Sequence, residues 1–384
     1  MLPTVIRRPH IPLTLLVCAL AVLLAAPATG QAKAPKGFFG AIDFVPRNNL
    51  SQANLDARYG QMKQAGVESL RTLFVWSSLE PSQGNYAFGG SDRQVGLAAS
   101  AGLSVLPTVQ FTPRWASPRP DRGDFGAYAP RKYSYYTSFL TALVRRYGPK
   151  GTYWTENPSV PKRPIREWQM WNEPSASYFI KGNYRKIYPK LLKAGYKGVK
   201  KVDKRAKVVL AGLASFQQST GRKTFSWGDH KAFYQRGIRK YYDVAAVHPF
   251  NKTPKATVAA IAEHRKVMNR YRDRRKPIYV TEFTFLGSRG KIPRNQYLGL
   301  EVTAKQQRRN LTATYKAFAR KRSLRVNKAF WYAWASAYSP TSCDGGGTDP
   351  TFQYAGLVSA NGCNATVFTA TPLLSAYRAA ARKF

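Results

Sequence analysis

The sequence predicts an α/β protein built as a closed barrel of eight βα units. Two observations carry this prediction. From Phe38 onward, short runs rich in β-branched and aromatic residues alternate with stretches whose apolar residues recur at helical spacing. Eight such runs occur, with starts roughly 31 to 63 residues apart, where one βα unit needs roughly 30. In addition, no G-x-G-x-x-G follows the first run, so the main cue for an open doubly wound sheet is missing.

The runs are 38–44, 69–75, 104–110, 167–172, 207–214, 244–249, 277–283 and 328–335. Between the fourth and fifth, Tyr184, Ile187, Tyr188, Leu191 and Leu192 form an apolar stripe, with Arg185, Lys186, Lys190 and Lys193 at the remaining positions. Between the sixth and seventh, Val258, Ile261, Ala262 and Val267 form another, and Glu263, Arg265 and Lys266 are expected on its outer side. The expected architecture is a (β/α)8, or TIM, barrel spanning residues 38–384, preceded by a short linker over 29–37.

Residues 1–28 read as a secretory signal peptide. Arg7 and Arg8 precede an apolar centre from Ile11 to Ala26, and Ala26, Pro27 and Ala28 form a small-residue exit. Export to the extracellular space or the cell wall follows, with no membrane span in the mature chain. Cys18 lies inside the apolar centre and is removed with it. Export also permits a disulfide between Cys343 and Cys363, which would close the glycine-rich loop around Gly345, Gly346 and Gly347.

The chain has 384 residues, with 61 Lys and Arg against 19 Asp and Glu, a formal net charge of +42. Hydrophobic residues make up 44% of it, ample for a core, so the charge does not signal disorder. Such an excess attracts polyanions at long range. The cations lie along helical outer faces with no helix-turn-helix, zinc-finger or stacking signature, which argues against a sequence-specific nucleic-acid reader. An anionic cell-wall or extracellular polymer is the expected partner. Neither a Cys/His cluster nor a calcium-loop spacing is present, so no metal or other cofactor is expected.

Catalytic groups of a βα barrel sit at the C-terminal ends of its strands. Two of the scarce acids fall there: Glu173 after the fourth run, in Trp171-Asn172-Glu173-Pro174, and Glu282 at the end of the seventh, in Thr281-Glu282-Phe283. These two ends face each other across a barrel mouth, the placement that glycoside hydrolysis requires of its paired carboxyls. The two motifs resemble the signature of clan A glycoside hydrolases, over nearly the whole mature chain. The segment from Phe74 to Pro81 is similar to secreted β-xylosidase-like and endo-acting members.

The resemblance implies a retaining hydrolase of O-glycosidic, β-linked saccharides, with Glu173 as acid/base and Glu282 as nucleophile. It implies that Arg71 holds Glu282 as an anion, that Asn172 bonds the sugar 2-hydroxyl, that His248 lines the cleft and that Trp334 forms an aromatic floor. Trp76 and Trp115 are candidates for further sugar subsites. The sequence departs from the clan at Phe250, where many relatives place a tyrosine that orients the nucleophile, so another group must do so here. The competing expectation is a non-catalytic wall-binding protein on the same fold.

Overall fold

Each of the eight runs forms a parallel strand in the computed structural model, which describes residues 33–43, 51–217, 223–336, 350–360 and 368–384. The signal segment and the Cys343–Cys363 pairing lie outside the described residues. The strands are β1 (Phe39–Ile42), β2 (Ser69–Val75), β3 (Ser104–Gln110), β4 (Glu167–Met170), β5 (Lys207–Val209), β6 (Leu213–Ala214), β7 (Ala245–His248), β8 (Ile278–Phe283) and β9 (Val326–Trp331). Nine labels describe eight staves, because β5 and β6 are the two halves of the fifth run. The ladder order is β5-β4-β3-β2-β1-β9-β8-β7-β6. It therefore leaves one half of the fifth stave and returns to the other, and Val209 also bridges Val244 across the seam.

The second and third staves have the predicted bounds. The fourth ends at Met170 and the eighth at Trp331, both earlier than expected, which leaves Glu173 and Trp334 on the loops just beyond. The break in the fifth falls at Leu210–Gly212. There Gly212 passes so close to the His248 imidazole that a Cβ on it would overlap the ring. Polar groups lost from the ladder find other partners: Leu210 O accepts from Gln169 Nε2 at 3.0 Å, and Ala211 N donates to the Tyr188 hydroxyl at 2.6 Å.

One main helix follows each stave: α1 (Gln52–Gln64), α2 (Gly89–Ser100), α3 (Tyr133–Tyr147), α4 (Tyr184–Val202), α5 (Ser226–Tyr234), α6 (Pro254–Arg270), α7 (Ala304–Arg320) and α8 (Pro372–Lys383). α3 buries Tyr136, Phe139, Leu140, Leu143, Val144 and Tyr147, a helical stripe turned to the sheet. Side-chain caps start several helices: Ser51 accepts from Asn54 N, Thr253 from Ala256 N ahead of Pro254, and Thr303 with Gln306 forms a reciprocal box. Some of the excess cations sit in last turns, as Arg145 and Arg146 on α3 and Lys200 and Lys201 on α4, where the helix dipole favours them. Arg265 departs from its expected outer position. It is buried, and its guanidinium donates to Leu324 O, which ties α6 to the chain entering β9.

Candidate active site

The strand ends bring the predicted carboxyls together. Glu173 and Glu282 are each 6% exposed, and single donor atoms of Glu173, His248 and Glu282 all lie within 4.8 Å of one another. Separations near 5 Å are those of retaining glycosidases, whereas inverting enzymes need room for a water between the two carboxyls. The approach is built into the backbone. Trp171 and Glu173 both adopt left-handed conformations, at φ 70° and 34°. Such conformations cost non-glycine residues energy and persist where the surroundings impose them.

Arg71, from the middle of β2, is the centre of the polar network. Its Nη1 donates to Glu282 Oε1, its Nη2 to Asn172 Oδ1 and its Nε to Gln169 Oε1, all at 2.7 Å. With the Asn172 carbonyl turned to Arg71, that amide keeps its N–H donors for another partner. The guanidinium thus performs the orientation of Glu282 that the sequence left unassigned when Phe250 replaced a tyrosine. His248, at the end of β7, places Nδ1 2.6 Å from Glu173 Oε1 and 3.7 Å from Glu282 Oε2, and Nε2 2.9 Å from Thr281 Oγ1.

Electrostatics separate the two carboxyls. Burial raises Glu173 to about 7, against weaker opposing effects of Arg71 and the Tyr178 hydroxyl. Burial pushes Glu282 upward as well, opposed by the Arg71 guanidinium in direct contact. A proton shared by the pair therefore rests on Glu173, which has no guanidinium contact. Burial lowers His248 to about 3, so its ring is neutral. It can accept from protonated Glu173 through Nδ1, or donate to the ionised form from the other tautomer.

Among the described residues, Glu173, His248 and Glu282 are also the one group of donors close enough to hold a cation. Arg71 already supplies a positive charge at Glu282.

Not every predicted binding residue lines this site. Trp76 is fully buried, stacked on Phe139 at 5.4 Å and 17°, and its Nε1 donates to Glu80 Oε2 at 2.6 Å. It belongs to the core, a correction to its expected place in a sugar subsite. The short helix Trp76–Leu79 directly after β2 turns its ring inward toward α3. Trp115 is half-buried and donates to Glu80 O at 2.9 Å, so the two tryptophans brace the loop around Glu80. Trp334 is buried beyond β9, and its Nε1 has no partner among the described residues. Trp331 packs on Phe283 and donates to Ala355 O, a core role.

Three site residues escaped the sequence reading. Gln169 lies between Trp168 and Met170 on β4 and Thr281 follows three apolar residues on β8, a pattern that could have flagged both as inward-facing. Tyr178, 58% exposed, donates to Glu173 Oε2 at 3.3 Å from the loop after β4, where no periodicity applies. Its ring lies 4.4 Å from that of Phe179, which stacks on Phe111 in turn, a run of rings leading up to Glu173.

Two substitutions test this framework. Arg71→Leu removes the positive charge beside Glu282, so that carboxyl should hold a proton to higher pH. The acid limb of kcat/KM should then move upward by about one unit or more, as a pH–rate profile would record. Gly212→Ala should displace the His248 ring, lowering kcat and melting temperature together. A melt within a degree of the parent, with full turnover, would disprove the close approach.

A family model for glycoside hydrolase 42, described as a β-galactosidase, matches residues 43–218. A search of the curated proteins finds no match. Among solved structures, a family 39 glycoside hydrolase from Bacteroides cellulosilyticus WH2 aligns with TM-score 0.63 at 18% identity, covering 91% of this chain and 64% of that one. The chain thus spans somewhat under two thirds of that relative's length. A monomeric β-xylosidase from Caulobacter crescentus CB15 aligns at 0.61 with 14% identity, covering 91% and 69%. A GH10 xylanase from Bispora sp. MEY-1 aligns at 0.56 with 16% identity, covering 90% and 96%. At these identities the structures speak for the fold, and the family model together with the strand-end motifs speaks for the lineage. The family model covers a little under half of the chain, and with the barrel and the strand-end motifs it makes the chain similar to the glycoside hydrolases of clan A.

Proposed function

We propose that the protein is a secreted glycosidase that cleaves β-linked saccharides with retention of configuration, through a glycosyl-enzyme intermediate. The observation that carries this reading is the pairing within 4.8 Å of a carboxyl raised to about 7 with one clamped by a guanidinium. In the first step Glu173 gives its proton to the leaving glycosidic oxygen while Glu282 attacks the anomeric carbon. In the second, ionised Glu173 takes a proton from the water that releases the sugar from Glu282. His248 meets both states of Glu173 by exchanging tautomers, with Thr281 able to donate or accept at the other nitrogen. Asn172 is positioned to donate to the sugar 2-hydroxyl, a contact that strengthens as positive charge develops on the ring.

The relatives, a β-galactosidase family, a β-xylosidase and a xylanase, support β-linked substrates. Export rests on the signal segment, and no helix among the described residues is long and apolar enough to cross a membrane. The test is hydrolysis of aryl β-glycosides, β-xyloside and β-galactoside among them, with the first-formed product followed by NMR. A β product is expected to appear first. An α product appearing first would overturn retention, and no cleavage across a broad panel would overturn the reading as a whole. N-terminal sequencing of the exported protein should begin at Thr29.

A further inference from the structure

The outer wall of the barrel carries a feature that the catalytic centre does not use. On α7, Lys305, Arg309, Lys316 and Arg320 are all exposed and recur at helical spacing along one face. At 1.5 Å rise per residue the row is about 22 Å long. Arg308, Arg309 and Lys316 also line a groove of about 680 Å³ between α7 and α8, whose wall includes the hydroxyls of Thr312 and Ser375. No acidic residue occurs between Glu301 and Asp344, or from Pro350 to the end of the chain. Among the described residues, none of these cations enters an ion pair.

Of this row only Arg320, in the last turn, is favoured by the helix dipole. Lys305 lies in the first turn, where the dipole disfavours a cation, and the Lys305/Arg309 and Lys316/Arg320 pairs place like charges four residues apart. A small anion would engage only part of a row this long, whereas a linear polyanion can follow all of it. We infer that the groove between α7 and α8 is a docking surface for a linear acidic polysaccharide, separate from the catalytic centre.

Three features favour this partner over other polyanions. The groove offers hydroxyls and no aromatic ring, whereas single-stranded nucleic acid is held on stacking platforms. The exposed large apolar residues of the described chain, Tyr178, Val202, Phe225 and Leu298, all lie off α7 and α8, so this face lacks the apolar anchor of a membrane-surface helix. A saccharide held here would also raise the local concentration of the material a glycosidase attacks. This last point rests on the proposed function; the cationic groove does not.

The test measures binding of fluorescently labelled polygalacturonate to the mature protein by anisotropy across a salt series. The paired variants are Arg309→Glu/Lys316→Glu on α7 and Lys186→Glu/Lys197→Glu on α4, which change the net charge equally. Thermal melts establish that both fold, and carrying Glu282→Gln in all of them separates binding from turnover. The α7 variant should bind at least about tenfold more weakly than the α4 variant, with a shallower dependence of log K on log salt. Equal weakening in both would mean diffuse attraction by the whole charge and would overturn the site. Tighter binding to single-stranded DNA or to anionic phosphatidylserine vesicles than to polygalacturonate, lost in the α7 variant, would overturn the assigned partner.

Discussion

Glu282→Gln should abolish turnover, lowering kcat/KM by on the order of 10⁴-fold or more while leaving the melting temperature close to the parent's. The amide keeps an oxygen for the Arg71 Nη1 bond, so the network around β2 can survive while the nucleophile is gone. Mass spectrometry with a slowly hydrolysed fluorinated glycoside should show a covalent adduct on Glu282 in the parent and none in the variant. Residual turnover within tenfold of the parent would remove Glu282 from the mechanism.

Glu173→Gln should behave differently, and its signature is in pH. In the parent, kcat/KM should fall above about pH 7 as the buried carboxyl loses its proton. The variant should lose that limb. It should still react with substrates whose leaving group needs no proton, then stall at the glycosyl-enzyme, and azide should restore release by attacking without base assistance.

Stability should move as well. Glu173 has a folded value of about 7 against 4.5 for the free side chain, so the folded state holds this proton more tightly. Between those two values the unfolded chain binds fewer protons, and stability falls as pH rises. The loss reaches about 3 kcal/mol above pH 7. The amide introduced by Glu173→Gln carries no charge to bury, so the variant should melt several degrees above the parent at pH 8 and close to it at pH 4.5. Equal melting curves at both pH values would show that Glu173 is not held in a site that disfavours its charge.

The pairing of Glu173 with Glu282 was legible in the sequence because two constraints coincide on them. Acids are scarce in this chain, and both fall where a barrel presents its strand ends. Arg71 was legible for a similar reason, as a charge in the middle of an apolar strand. The bounds of β2 and β3 were clear because each is a seven-residue run with helical patterns on either side.

What could not be read depends on side-chain direction or on loops. Trp76 follows β2 immediately, yet one turn of helix is enough to point it into the core. Arg265 sits among outer-face residues in a linear pattern, but its length lets the guanidinium reach Leu324 O beneath. The break in the fifth stave is set by the His248 ring pressing on Gly212, a contact between residues 36 positions apart.

Gln169 has a consequence for how this protein can be altered. Its carbonyl oxygen accepts from Arg71 and from Thr108, and its amide nitrogen donates to Leu210 O in the gap of the fifth stave and to Thr281. A single fully committed amide thus joins the broken course of the barrel to the guanidinium that holds Glu282. Selection for heat tolerance at this joint cannot proceed independently of selection for rate. Variants of the surrounding seam that survive both should keep glutamine here, and evolve instead around Tyr188, whose hydroxyl closes the same gap without touching the reacting groups.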